Sequence, residues 1–195
     1  MRTEKNVRWA LVGFPLAGLA SVLVTVWIQW TKFGRYNLLG SVSFGVFLSG
    51  WFWVFPGLRS IGKTIVFILM SPVAMVLAIL SAIPFVHGPN QRYQAEFVGG
   101  YVGAFVILLT ALLLLALQPQ LLRSIVKSIC WAFAGGVLAI TGMASGPAFH
   151  ALRMWLDPRR PDSDISLLFV WQVGMALVFA LTLWAEEKHS SADDS

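Results

Sequence analysis

The sequence predicts an all-α integral membrane bundle of about six transmembrane helices with no soluble domain. Hydrophobic residues make up 57% of the 195 residues and charged residues only 12%, about half of the ~25% that is usual in soluble domains. The charged residues stand in short clusters, and the runs between the clusters are uncharged. Each run is long enough for a helix of ~20 residues to cross ~30 Å of hydrocarbon.

Six apolar runs meet this length, at approximately 9–30, 38–56, 64–86, 97–117, 128–149 and 165–185. They are apolar on every face and lack strict alternation, which is typical of membrane helices rather than barrel strands. A charged side chain at the bilayer centre costs several kcal/mol, which explains why the charges lie between the runs. Residues 1–195 are therefore predicted to form a single polytopic membrane domain that ends in a polar tail, 186–195.

The net charge of +5 does not indicate a nucleic-acid partner. Basic residues stand in ones, twos and threes beside apolar runs, where they anchor helix ends in the lipid bilayer. If the N-terminus is cytoplasmic, eight of the 14 Lys and Arg residues lie on the cytoplasmic side: Arg2, Lys5, Arg8, Arg59, Lys63, Arg123, Lys127 and Lys188. This excess predicts that both termini are cytoplasmic. The short loops and compact chain suggest a bacterial inner membrane.

The first apolar run is too long for the core of a signal peptide, so we predict an uncleaved first span. The nine tryptophans lie near several span ends: Trp9, Trp27, Trp30, Trp51, Trp53, Trp131, Trp155, Trp171 and Trp184. Most of them are interpreted as interface anchors, because an indole suits the headgroup level. The lone Cys130 lies inside the fifth run and has no internal disulfide partner.

One segment matches a nucleotide-binding motif. Residues 57–64 read GLRSIGKT and fit the phosphate-binding loop G-x-x-x-x-G-K-[ST]. A true phosphate loop joins a strand to a helix in a parallel sheet. Here the segment joins two membrane spans, so we interpret Arg59 and Lys63 as headgroup contacts and expect no nucleotide.

Metal, cofactor and catalytic sites are not predicted. His87, His150 and His189 lie in three different polar segments, and no carboxylate shares a span with any of them. An intramembrane hydrolase or proton-coupled pump usually keeps an ionisable group inside its spans. These spans keep none.

Small residues at helical spacing are the main feature of the spans. Side chains of this size let helix backbones approach closely in lipid. We predict that they form helix-packing faces or faces for a partner, either another membrane protein or a second copy of the chain. The set comprises Ser41, Gly45, Ser49, Gly99, Gly103, Gly135, Gly136, Gly142 and Gly146.

Two places are candidate helix breaks or pore elements. Ser71 and Pro72 lie in the middle of the third run, and Thr141, Ser145 and Pro147 lie late in the fifth. Proline removes a backbone donor and clashes with the preceding turn. Broken helices expose backbone groups to substrates in transporters. The alternatives are a packed kink in the third run and the end of the fifth helix.

Two function classes stay open. The first is a non-catalytic subunit or accessory component of a larger membrane assembly. The second is a small channel or transporter for an uncharged or weakly polar solute, lined by Thr25, Gln29, Ser71, Thr110, Thr141, Ser145 and Gln172. A membrane enzyme, the third reading, would have only the loop residues His87, Arg92, His150 and Arg153.

Overall fold

The computed structural model describes residues 2–30, 38–54, 58–85, 91–115, 121–145 and 165–193. These residues form α1 (Arg2–Trp30), α2 (Leu38–Gly50), α3 (Ile61–Ala82), α4 (Gln91–Leu115), α5 (Leu121–Ala144) and α6 (Ile165–Asp193). Short 3₁₀ helices, Trp51–Val54 and Ile83–Phe85, extend α2 and α3. No strand occurs in the described ranges, so the all-α prediction is confirmed for them.

The six helices form a closed ring. Each helix contacts the next one in sequence, and α6 returns to contact α1. Neighbouring helices run antiparallel: Gly13 of α1 lies beside Trp51, whereas Thr25, farther along α1, lies beside Gly40 at the start of α2.

Within the described ranges, four helices are long and apolar enough to cross a membrane. Their apolar stretches are Trp9–Ile28, Ile61–Phe85, Gln91–Leu114 and Ser124–Ala144. In α2 and α6 the apolar stretches are shorter, Leu39–Trp53 and Phe169–Thr182. Stretches of ~14–15 residues extend only ~21–23 Å, less than the ~30 Å of hydrocarbon. The structure therefore fits an integral membrane protein, but the predicted count of six spans is not confirmed.

Four phenylalanines fill one half of the ring's interior. This phenylalanine cluster consists of Phe14 from α1, Phe52 from the 3₁₀ helix after α2, Phe67 from α3 and Phe179 from α6, and all four are at most 1% exposed. Phe179 lies at its centre, with ring centroids 5.3 Å from Phe14, 5.9 Å from Phe52 and 5.5 Å from Phe67. Such rings fill space tightly, and each pair adds ~0.5–1.5 kcal/mol beyond its buried area.

The outside of the ring carries large apolar side chains. On α1, one stripe exposes Trp9, Val12, Leu16, Leu23 and Trp27, each by more than half of its surface. An apolar surface of this extent is stable only when lipid or another protein covers it. The two indoles stand 18 residues apart, or ~27 Å along a helix, close to the hydrocarbon thickness of ~30 Å.

The indoles of α1 fit the predicted role of interface anchor, but Trp171 does not. Its half-buried ring packs on the core against Phe44 of α2, with centroids 5.8 Å apart. Trp51 likewise packs against Phe14, at a centroid distance of 6.3 Å. These rings can pack against other side chains of the bundle because an indole is apolar over most of its surface.

Candidate functional site

The residues that are usual in catalysis and metal binding do not come together in the described part of the chain. Within those ranges no group of three His, Cys, Asp or Glu side chains could hold a metal ion. His87 and His150, the loop candidates for an enzyme, lie outside the described residues together with Arg153. The expectations of no metal, no cofactor and no catalytic residue remain predictions.

The phosphate-loop match lies between two helices. Ser60 precedes α3 in an extended conformation, and Gly62, Lys63 and Thr64 belong to the first turn of α3. Arg59 is turned back, with its Nε donating a hydrogen bond to the carbonyl oxygen of Trp53 at 2.5 Å. Among the described residues no strand enters this loop, so the geometry of a phosphate-binding strand–loop–helix is missing there.

Several of the predicted small residues lie at contacts between neighbouring helices. A Cβ atom on Gly45 of α2 would be 2.5 Å from the Ser71 hydroxyl oxygen and 3.1 Å from the Ile68 Cα of α3. A Cβ on Gly99 of α4 would be 3.3 Å from the carbonyl oxygen of Ala78. A Cβ on Gly103 would lie 3.4 Å from the Ala78 side chain and 3.5 Å from the Trp171 ring.

The tightest backbone contact joins α4 to α5. A Cβ on Gly135 would lie 2.2 Å from the Ala104 Cβ and 2.8 Å from the Gly100 carbonyl oxygen. Conversely, a Cβ on Gly100 would lie 2.6 Å from the Gly135 carbonyl oxygen. Neither position has room for any other residue, because atoms of the main chain cannot rotate away. At the next residue, Gly136, an added Cβ would lie 2.7 Å from the Phe97 ring.

Gly100 is absent from the predicted set although it adjoins Gly99. The sequence contains the pair but does not indicate that the two glycines serve different neighbours, Gly99 on α3 and Gly100 on α5. The inner stripe of α5 is also longer than predicted and consists only of small buried residues: Ser124, Ser128, Ala132, Gly135, Ala139 and Gly142. Gly146 lies outside the described residues. Ser41 and Ser49 of α2 are 9% and 1% exposed.

The candidate helix breaks have ordinary helical surroundings where the structure describes them. α3 continues through Pro72, and the buried Ser71 hydroxyl donates to the Phe67 carbonyl oxygen at 3.1 Å. Thr141 donates to Val137 at 2.9 Å, and Ser145 donates to Gly142 at 2.8 Å, just after α5 ends. Pro147 lies outside the described residues.

The residues of the predicted pore lining do not share one surface. Thr25, Ser71 and Gln172 are buried, and Thr110 is 9% exposed with its hydroxyl bonded to the Val106 carbonyl oxygen. Thr141, in contrast, is exposed on the outer side of α5. The described helices therefore separate Thr141 from the buried members of the predicted lining, and the side chain of Gln29 lies outside the described part of the structure.

Three hydroxyls form a cluster between α1 and α2. The Thr25 hydroxyl donates to the Ser21 carbonyl oxygen at 2.8 Å, and the Ser43 hydroxyl donates to the Gly40 carbonyl oxygen at 2.7 Å. The Ser21 hydroxyl lies 3.1 Å from the Ser43 hydroxyl oxygen. Since the proton of Ser43 is already used, Ser21 is the donor of this interhelical bond. Bonds of this type stabilise helix pairs in membranes by ~0.6 kcal/mol on average.

Two polar atoms on α6 have no hydrogen-bond partner among the described residues. They are the indole Nε1 of Trp171 and the amide Oε1 of Gln172. Gln172 is 4% exposed, and its main-chain carbonyl oxygen, not the amide Oε1, faces Gly18 of α1. Leaving a buried polar group unpaired costs ~1–3 kcal/mol. The hydroxyls of Thr64 and Ser128 are also buried without a partner among the described residues, but only on α6 do a donor and an acceptor stand on consecutive residues. Of these two residues, the sequence analysis named Gln172 as a pore-lining candidate.

The chain has no significant match to any family model, to the curated proteins or to the solved structures.

Proposed function

We propose that the chain is a non-catalytic polytopic membrane protein that serves as a subunit or accessory component of a larger membrane assembly. The observation that supports this proposal is the surface of α3. Only 17% of the residues in an 18-residue apolar segment of α3 are buried, compared with 44% in the corresponding segment of α1. Its buried residues are Phe67, Ser71 and Ala74.

Most of the circumference of α3 is apolar and is not covered by the residues that the structure describes. Its exposed residues include Ile65, Leu69, Val73, Val76 and Leu80. Helices associate in lipid by close packing of their side chains. Because α3 packs so little within its own bundle, contact with a helix of another protein would add more packing to α3 than to the other helices.

The filled interior also favours this function over transport. The phenylalanine cluster lies where a pathway through the ring would have to pass, and its side chains are almost fully buried. None of the buried polar side chains is ionisable in the described ranges. Proton-coupled transporters and pumps usually carry such groups inside the membrane.

The experiment that tests the proposal is co-purification from native membranes. We expect the tagged protein to recover stoichiometric membrane partners. Changing Leu69 or Leu80 of α3 to Trp should reduce this recovery about fivefold or more, because steric overlap in a packed contact costs ~1–3 kcal/mol.

The matched controls are Leu16→Trp and Leu23→Trp on α1. All four leucines are more than half exposed, so the four substitutions place the same side chain on different faces of the ring. Equal partner recovery in all four variants would contradict a partner at α3. Recovery of the protein alone in mild detergent would contradict the subunit function itself.

The proposal includes six crossings of a bacterial inner membrane, with both termini on the cytoplasmic side. The exposed indoles support the number of crossings. Trp53 follows α2 and Trp184 lies late in α6, and they are 49% and 42% exposed. In an antiparallel ring both positions fall at the same end of the bundle as Trp9. Amphipathic rings of this kind favour the headgroup level, which supports α2 and α6 ending at the membrane surface.

Reporter fusions test the number of crossings. Fusions at Asn90 and at the C-terminus should report opposite sides of the membrane, because three spans separate the two points. A fusion after Lys32 should report the same side as Asn90, since two spans, the second and third, lie between them. If the fusions at Asn90 and at the C-terminus report the same side, one of the last three apolar runs does not cross.

The unpaired atoms of Trp171 and Gln172 favour a second candidate function, a small channel or transporter for an uncharged solute. A solute with one acceptor and one donor would satisfy both atoms. In the absence of such a role, Gln172→Met should raise the thermal stability by ~1 kcal/mol or more, because the substitution removes an unpaired buried oxygen. A stability loss in Gln172→Met together with solute flux in liposomes would favour the channel.

A further inference from the structure

A groove of about 380 Å³ opens on the outer surface of the bundle, where α4, α5 and the short helix after α3 meet. Residues of all three elements line it: Phe85, Tyr93, Gln94, Phe97, Val98 and Ile140. Its volume lies within the range of ~300–1,000 Å³ that is usual for sites of small ligands.

The polarity of the groove changes along the axis of α4. Its upper edge is formed by Tyr93 and Gln94, which are exposed in the first turn of the helix. Its floor is formed by Phe97 and Val98, which begin the apolar run of α4. The step from Gln94 to Val98 covers ~6 Å. The upper edge therefore lies at the headgroup level and the floor in the hydrocarbon.

The wall of the groove is held in place by aromatic contacts. The Phe97 ring stacks on Tyr101 with centroids 6.3 Å apart, and it meets the edge of Phe133 at 5.5 Å. On its other side it lies against Gly136 of α5. A wall fixed in this way keeps the groove open without a ligand, so binding loses little free energy to ordering.

We infer that this groove binds one phospholipid of the surrounding membrane, with an acyl chain against Phe97, Val98 and Ile140 and the head at Tyr93 and Gln94. A transmembrane helix fits less well. It needs ~20 residues of contact length, whereas the groove takes its α4 lining from Tyr93–Val98, less than two turns. A single amphiphile matches both the short length and the change of polarity.

This inference adds a lipid site to the proposed membrane subunit and does not depend on its partners. The test uses the full-length protein in mild detergent, delipidated and then mixed with palmitoyl-oleoyl phosphatidylglycerol or with the phosphatidylcholine of the same chains. Native mass spectrometry should find one retained lipid per chain. Val98→Trp, which fills the groove, should lower the retained fraction about tenfold, and Ile140→Trp on the opposite wall should do the same.

The control is Leu113→Trp, at an exposed position near the other end of α4, which should retain lipid like the wild type. Equal retention of the two lipids would assign binding to the acyl chain, and a preference would assign part of it to the head. Both results agree with the inference. It is overturned if the wild type retains no lipid, if neither groove variant lowers retention, or if a second copy of the chain occupies the groove.

Discussion

Changing Gly135 to Ala should destabilise the bundle more than any other single methyl group added to it. The new Cβ would lie 2.2 Å from the Ala104 Cβ and 2.8 Å from the Gly100 carbonyl oxygen. α4 and α5 would have to separate along their length, since neither atom can move independently of its helix. Overpacking of this kind costs ~1–3 kcal/mol. We expect a lower melting temperature in mild detergent and a lower denaturant midpoint.

Gly100→Ala should have a similar effect, because its Cβ meets the Gly135 carbonyl oxygen from the opposite side. The double variant should cost less than the sum of the two single variants, since one separation of the helices relieves both clashes. The matched control is Gly50→Ala at the end of α2, where nothing lies within 4 Å of the new methyl group. Equal stability of Gly135→Ala and Gly50→Ala would show that α4 and α5 are farther apart than described.

Changing Phe179 to Ala should produce the second large effect. The ring contacts three other phenylalanines and is 1% exposed. In a water-soluble core this truncation costs ~3–5 kcal/mol, part of which is the transfer of the ring to water. In a membrane the unfolded helix keeps the ring in lipid, so mainly the packing contribution is lost. We therefore expect a loss of about 2 kcal/mol, measured as a shift of the unfolding midpoint in detergent micelles.

Phe133→Ala is the control for this prediction. Phe133 lies on the outer side of α5, is 58% exposed and meets only the Phe97 ring among the aromatic contacts described. Removing the Phe133 ring should lower the free energy of unfolding by less than half as much as removing the Phe179 ring. The same variants separate the two function classes. Phe179→Ala should give no solute flux in liposomes if the protein is a subunit, whereas flux that appears on removing the ring would indicate a plugged channel.

The positions of the helices were largely predictable because they follow from local properties. The predicted runs 64–86 and 97–117 overlap α3 and α4 over most of their lengths. The prediction was less accurate at the ends. α5 begins at Leu121, seven residues before the predicted run, and thus includes Arg123 and Lys127. Long basic side chains reach the headgroups from inside a helix, so a helix need not end where its apolar run ends.

The faces of the helices were much less predictable. The spacing of small residues drew attention to glycines such as Gly99 and Gly135, which lie at helix contacts, yet it did not indicate Gly100 or the order of the neighbours around the ring. Trp171, one of the tryptophans near span ends, is half-buried and packs against Phe44. No spacing in the sequence predicts the phenylalanine cluster, because its members come from four separate elements.

The sequence by itself indicated an integral membrane protein and where its helices lie, since both depend on the cost of placing charges in hydrocarbon over ~20 residues. Only the tertiary structure decided which side of each helix faces inward. In water an apolar residue prefers the interior, and its spacing reveals the buried face. In a bilayer the surroundings are as apolar as the interior, so Phe179 inside and Phe133 outside are equally suited to their places. The difference between them arises from packing alone, which a single sequence does not contain.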